Sequence, residues 1–214
     1  MLTVHHLGIS QSDRIVWLCE ELGIDYDLKR YERDPVTKLA PPAYRALHPF
    51  GTAPVISDGD LVLGESGAII DYIVERHGGG RLRPKPEDAD FADYLFWFHF
   101  ANGSLMPAGM VDMVLAMTGG GADGNATLDG VRDRLERGYR MVEARLGEVD
   151  FFAGERFTAA DIIMLFPLTT MRAFAPRDLG PYPNIRAYLA RIGERPAFQR
   201  AMRKAEPDFP PMLG

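Results

Sequence analysis

The chain holds one cysteine, Cys19, so it can form no internal disulfide and no cysteine-based metal cluster. No apolar run approaches the roughly 18 residues of a membrane-spanning helix. The opening Met1-Leu2-Thr3-Val4-His5-His6 also lacks the charged start and long apolar core of a leader peptide. Basic residues are in the minority, 24 against 30 acidic, and the net charge of -6 leaves no basic stripe for nucleic acid. Repeats and low-complexity tracts are missing. These absences predict a cytoplasmic protein with no bound metal, no membrane and no nucleic-acid partner. What remains is ordinary globular material: 214 residues, 46% apolar and 25% charged, enough for one large or two small packed domains.

The pattern changes once along the chain. Up to residue 80, short extended runs alternate with helical ones. Leu2–His5 reads as a strand, with His5 and His6 pointing to opposite faces. Ile15, Leu18, Cys19 and Leu22 then share one helical face that stops at Gly23. Tyr26–Lys29 suits a second strand. Pro54–Ser57 and Leu61–Leu63, joined by Asp58-Gly59-Asp60, have the turn chemistry of a hairpin. A helix from Glu65 to Arg76 turns Ile69, Ile70, Ile73 and Val74 inward. Gly78-Gly79-Gly80 and the two prolines up to Pro86 tolerate neither helix nor strand, and mark a domain boundary between 1–80 and 87–214.

Beyond it the chain reads as helix. Ala89–Met117 is aromatic- and methionine-rich and runs into a mobile loop at Thr118-Gly119-Gly120-Gly121. Leu128 to Leu146 keep helical spacing, and the Arg132–Arg145 face reads as solvated with i,i+4 ion pairs. Thr158 and Asp161 form a capping box. Pro167 should bend the helix that follows. Pro183 and Pro196 open two last helices, and the tail from Pro207 reads as loosely held.

Two stretches carry chemistry. In Thr52-Ala53-Pro54-Val55-Ile56 a proline interrupts β-like sequence, and the bend it imposes leaves backbone, that of Val55 above all, free to pair with an extended peptide. Glu65-Ser66 adds a carboxylate, a hydroxyl and the amides of a helix N-terminus, a set that grips the α-amino and α-carboxyl groups of an amino acid. Glutamate at a helix start is stabilising in any case, but its pairing with Pro54 favours a small peptide site.

Ser10-Gln11-Ser12-Asp13-Arg14, Glu20-Glu21-Leu22-Gly23-Ile24-Asp25-Tyr26, Thr52-Ala53-Pro54-Val55, Glu65-Ser66-Gly67-Ala68-Ile69-Ile70 and the Thr158–Asp161 box stand in order along the chain. In that order and spacing the sequence resembles the cytosolic glutathione S-transferases over essentially its whole length. Arg30–Asp34 and Leu39–Pro42 resemble the bacterial and fungal subgroup. The resemblance implies an α/β thioredoxin-like N-terminal domain plus an all-α C-terminal domain. It implies that Pro54 is cis, that the Val55 backbone pairs with the cysteinyl part of glutathione while Thr52, Ala53 and Pro54 help to fix the peptide, and that Glu65 and Ser66 hold its γ-glutamyl end. It further implies a homodimer that conjugates the co-substrate glutathione to small hydrophobic electrophiles in detoxification, without a metal.

Activating glutathione means stabilising its thiolate, which a hydroxyl donor at the sulfur does. In the family that group lies near the end of the first strand or just before the first helix. His5 stands at the tyrosine position and Ser10 at the serine or cysteine position. Ser10, a hydroxyl at a helix N-terminus, is the catalytic candidate. Ser12 and His5 are the alternatives, Ser12 with N-capping and His5 with a plain strand position as the competing roles. Cys19, within the apolar face of a helix, reads as an inert buried thiol. In the aromatic and methionine run, Phe98, Met106, Met110 and Met113 are assigned to the hydrophobic substrate wall between the domains and the rest to core. A glutathione-dependent peroxidase, dehalogenase or isomerase is the enzymatic alternative. A catalytically silent glutathione-binding module is the other, and Gly8-Ile9, where relatives carry polar residues, keeps it open.

Overall fold

The structure, a computed structural model, describes residues 1–118 and 125–214, and the glycine loop expected after Thr118 lies outside them. The described residues form two compact units, 1–83 with 193–211, and 84–192 with 212–214. The division does not follow chain order, because Gly193–Pro211 returns to the first unit.

In the first unit the elements are β1 (Leu2–Leu7), α1 (Asp13–Leu22), β2 (Asp27–Tyr31), α2 (Pro42–Arg45), β3 (Val55–Asp58), β4 (Leu61–Gly64) and α3 (Ser66–Arg76). The sheet runs in the order β2-β1-β3-β4, with β1 parallel to β2 and the other neighbours antiparallel. Its parallel pair needs the α1 crossover, whereas β3 and β4 need only the Asp58–Asp60 turn, where Gly59 takes φ +59°. Gly23, at φ +60°, closes α1 with its amide on the Cys19 carbonyl.

Helix α1 is buried on nearly every face. One side of it packs on α9 (Pro196–Ala205), where Trp17 meets Phe198 edge-on at 5.3 Å between ring centres. Charged pairs border that contact: Arg195 bonds both oxygens of Glu21 at 2.7 and 2.8 Å, and Arg200 and Lys204 converge on Glu20. Cys19 lies beneath this layer, and burial pushes its thiol well above the ordinary range, so the inert thiol expected from its position is what the fold makes.

The two strand histidines do not divide into an inward and an outward side chain. His5 and His6 are both buried, 7% and 0% exposed, because β1 is an inner strand covered on both faces. Asp58, at the end of β3, accepts from His77 Nε2 at 2.7 Å and Tyr72 Oη at 3.0 Å, and chiefly the His77 bond lowers its pKa. A lowered carboxylate lends stability above its unfolded value of about 4, which is lost as pH falls through the folded value. Asp58→Asn is therefore expected to flatten the acid limb of a stability–pH curve measured by urea unfolding below about pH 4.

The second unit holds α4 (Phe91–Phe100), a π-helical turn at Ala101–Leu105, α5 (Met106–Thr118), α6 (Ala126–Glu148), α7 (Ala159–Leu168), a 3-10 turn at Thr170–Ala173 and α8 (Pro183–Glu194). Helix α7, apolar except for Asp161 in its first turn, is buried along its whole length. Pro167 does not bend its middle: the helix ends one residue later, so the proline occupies the last turn and its carbonyl accepts from Tyr139 Oη at 3.0 Å. On α6 the expected i,i+4 pairs form, Arg137 with Asp133 and Arg140 with Glu136. The tail is better held than its composition implies, since Arg172 donates to the Met212 and Gly214 carbonyls at 3.2 and 2.7 Å.

Candidate active site

Between β1 and α1 the chain makes a tight loop whose start is held by hydrogen bonds from outside it. Gly8 N–H donates to the Tyr31 carbonyl at 3.0 Å, and the Gly8 and Ile9 carbonyls accept from Arg33 at 2.8 and 3.0 Å. Ile9 N–H donates to Glu206 at 2.5 Å. Four bonds from outside the loop hold a β-branched residue at φ +49°, a conformation it would not keep unaided.

Ser10, next in line, is buried, with its hydroxyl 2.6 Å from the Leu7 carbonyl and 2.7 Å from Ser12 Oγ. Ser12 occupies the N-cap position of α1 yet bonds none of its amides. Its hydroxyl instead accepts from Leu7 N–H at 3.1 Å and faces His6 Nδ1 at 2.9 Å, so the capping role expected of it is not taken up. His5 is committed elsewhere: its ring nitrogens lie 3.1 Å from Tyr31 Oη and 3.1 Å from Ser57 Oγ. Burial, with Lys29 nearby, lowers its pKa and favours the neutral ring. Ser10 has one proton facing two acceptors.

The Ala53–Pro54 peptide is cis, as expected. Val55 is not the open position, since it already sits opposite His5 and Gly64 in the sheet. The free edge lies just ahead of β3, where the Thr52 and Ala53 backbones make no hydrogen bond among the described residues. Pairing begins one residue beyond the proline, which places the unsatisfied groups before it.

Glu65 precedes α3 at φ +69°, exposed, its carboxylate without a partner among the described residues. The amides of Ser66, Gly67 and Ala68 are likewise unbonded among them, the first intrahelical bond running from Ile69 N–H to the Glu65 carbonyl at 2.9 Å. Ser66 itself is buried, donating to Gln11 Oε1 at 3.2 Å and accepting from Arg14 at 2.9 Å. Arg14 is fully buried on α1, and desolvation pulls its guanidinium down to about 10, still charged at neutral pH, with Asp13 opposing that fall. Gln11 and Arg14 were not singled out from sequence. The available signal was a cation at the start of an otherwise apolar helix face, which must find partners once buried.

The four residues assigned to an apolar wall separate. Phe98 and Met106 are buried, Met106 in a cluster with Phe166 and Met171, while Met110 is 47% exposed and Met113 intermediate. A cavity of about 390 Å³ in the second unit is lined by Leu105, Gly109 and Asp112 from this stretch, with Tyr139, Met171 and Arg172 opposite. Those helical positions lie one residue before Met106, Met110 and Met113, about 100° of turn away.

A mixed four-stranded sheet with an open backbone edge and a carboxylate-headed helix N-terminus, joined to an all-helical unit, defines a thioredoxin-like, two-domain binder of a small peptide with a free amino-acid end. The glutathione S-transferase N-terminal domain family matches residues 10–76, and the glutathione S-transferase C-terminal domain family matches residues 125–191. Glutathione S-transferase 3 of Schizosaccharomyces pombe is 35% identical, the match covering 96% of this chain and 88% of that one. Glutathione S-transferase 1 of Saccharomyces cerevisiae is 29% identical over 96% and 95%. A crystal structure of a glutathione S-transferase from Actinobacillus pleuropneumoniae superposes with a TM-score of 0.87 at 33% identity, covering 96% and 93%. The chain belongs to the glutathione S-transferase family.

Proposed function

We propose that the chain is a glutathione transferase in which the first unit binds glutathione and adds its thiolate to a small hydrophobic electrophile. The observation that carries the reading is the start of α3, where an unpartnered Glu65 carboxylate heads three unbonded amides. Glutathione's γ-glutamyl end offers an ammonium to the carboxylate and a carboxylate to the amides, the complementary arrangement for a zwitterion. The Ala53 backbone would pair with the cysteinyl residue, and the buried Arg14 under Ser66 adds positive potential beneath the anion.

At the thiol, Ser10 can release one of its two acceptors and donate to sulfur, which favours thiolate over thiol. Proximity supplies the rest of the rate. Ser10→Ala is expected to lower kcat by roughly 100-fold, with KM for glutathione within about twofold of wild type, as befits a donor used in the transition state. Steady-state kinetics with an activated aryl halide test it, and an unchanged kcat removes Ser10 from the mechanism.

We further assign residues 1–80 to glutathione binding and 87–214 to the electrophile surface, and place the enzyme in the cytoplasm as a homodimer. Large apolar side chains left in water support the dimer: Phe50 is 71% exposed, Phe96 47%, Val114 50% and Met141 44%.

A further inference from the structure

Glu206, just past α9, is the carboxylate most tightly built into the loop that carries Ser10. We propose that it is a positioning residue for glutathione activation, acting through His6 and Ser12 to set where the Ser10 proton points. The inference rests on the assignment of Ser10 made above.

The argument follows the protons. Glu206 has a side chain 8% exposed, and its Oε1 lies 3.0 Å from His6 Nε2 and 2.5 Å from Ile9 N. A carboxylate has no proton to give, so His6 must donate from Nε2. In the neutral ring Nδ1 is then a lone pair. Ser12 Oγ, 2.9 Å away, gives that lone pair its proton. With Ser12's proton spent, the hydrogen between Ser12 and Ser10 at 2.7 Å can only be Ser10's. Ser10's single proton thus faces a fork, Ser12 Oγ on one arm and the Leu7 carbonyl at 2.6 Å on the other.

A forked donor can turn to a thiolate without orphaning Ser12 Oγ, which still takes Leu7 N–H at 3.1 Å. Without Glu206 the ring is free to carry its proton on Nδ1. It would then donate to Ser12, Ser12 would donate to Ser10, and Ser10 would be driven onto Leu7 alone. The same carboxylate also takes the amide of Ile9, the residue held at positive φ immediately before Ser10. One group therefore fixes both the backbone that presents the hydroxyl and the direction of its hydrogen bond. Arg33 holds the opposite side of the loop through the Gly8 and Ile9 carbonyls, and Glu206 favours its charge.

The test uses the full-length chain as Glu206→Ala and Glu206→Gln, each also in a Ser10→Ala background. The readouts are kcat, KM for glutathione, melting temperature and the ultraviolet absorbance of bound thiolate against pH. Glutamine keeps an oxygen that can accept both bonds. Glu206→Ala is expected to lower kcat about tenfold with KM within about twofold, and to move thiolate formation up by about one pH unit. Glu206→Gln should restore kcat to within about threefold of wild type, and Glu206→Ala should have no further effect once Ser10 is alanine. A wild-type thiolate profile in Glu206→Ala overturns the proposal. So does an undiminished effect in the Ser10→Ala background, or a parallel fall in kcat, affinity and melting temperature in both Glu206 variants. A wild type that binds no glutathione overturns instead the functional reading beneath it.

Discussion

Glu65→Ala is expected to raise the Kd for reduced glutathione by roughly 100-fold, about 3 kcal/mol, read by calorimetric titration. The carboxylate has no partner among the described residues, so nothing in the protein competes with the ligand's ammonium for it. Glu65→Gln should lose about tenfold, keeping a hydrogen bond and losing the charge. The decisive contrast is Glu65→Gly. At φ +69° a side chain is strained and glycine is not, so this variant should lose affinity as alanine does while gaining about 1 kcal/mol of stability. Stability and affinity moving in opposite directions at one residue would identify a backbone held strained for binding. A glycine variant that loses both would make Glu65 a structural residue and remove the anchor of the functional reading.

The second large effect belongs to Asp161, and is one of stability. Its carboxylate accepts from Phe152 N–H at 3.0 Å, Thr158 N–H at 2.8 Å, Tyr188 Oη at 3.2 Å and Thr158 Oγ1 at 3.3 Å, all buried. Asp161→Ala takes away the acceptor of two buried amides and two hydroxyls and removes the reciprocal cap of α7. It should cost about 3–5 kcal/mol in urea unfolding, with glutathione affinity unchanged in the fraction that remains folded. Burial outweighs those four donors and pushes the carboxyl up to about 6. A folded value above the unfolded one means that the native state holds the proton more tightly. Asp161 therefore contributes most below about pH 4, and that contribution fades as pH rises to about 6. The difference between the wild-type and Asp161→Asn stability–pH curves should show this slope, since asparagine does not titrate, while most of the stability loss remains at neutral pH.

What the sequence disclosed and what it hid divide by range along the chain. The hairpin at Asp58-Gly59-Asp60, the Gly23 stop, the Thr158–Asp161 box and the Glu65-Ser66 helix start all rest on residues within a few positions of each other, where turn and cap chemistry is local. The Ser10 loop resisted the same treatment. Its geometry depends on Glu206, 200 residues from His6, and on Arg33, and no periodicity encodes such a meeting. Val55 was credited with the open backbone because the pairing of β3 sets which residue is left over, and pairing is not visible before the sheet exists. His5 and His6 keep the alternation of period two, with Tyr31 and Ser57 on one face and Ser12 and Glu206 on the other, and only the fold says that both faces are covered.

Because Gly193–Pro211 belongs to the first unit, the core of that unit cannot be completed until Pro84–Ile192 has been synthesised. At roughly 5–20 residues per second, the whole helical unit is synthesised over several seconds while the α1 surface that will receive Phe198 waits uncovered. The newborn sheet is thus an incomplete core for most of translation, a natural client for chaperones that shield apolar helix faces. A ribosome stalled before α9 would display a first unit whose α1 face, the one that meets Phe198, is open.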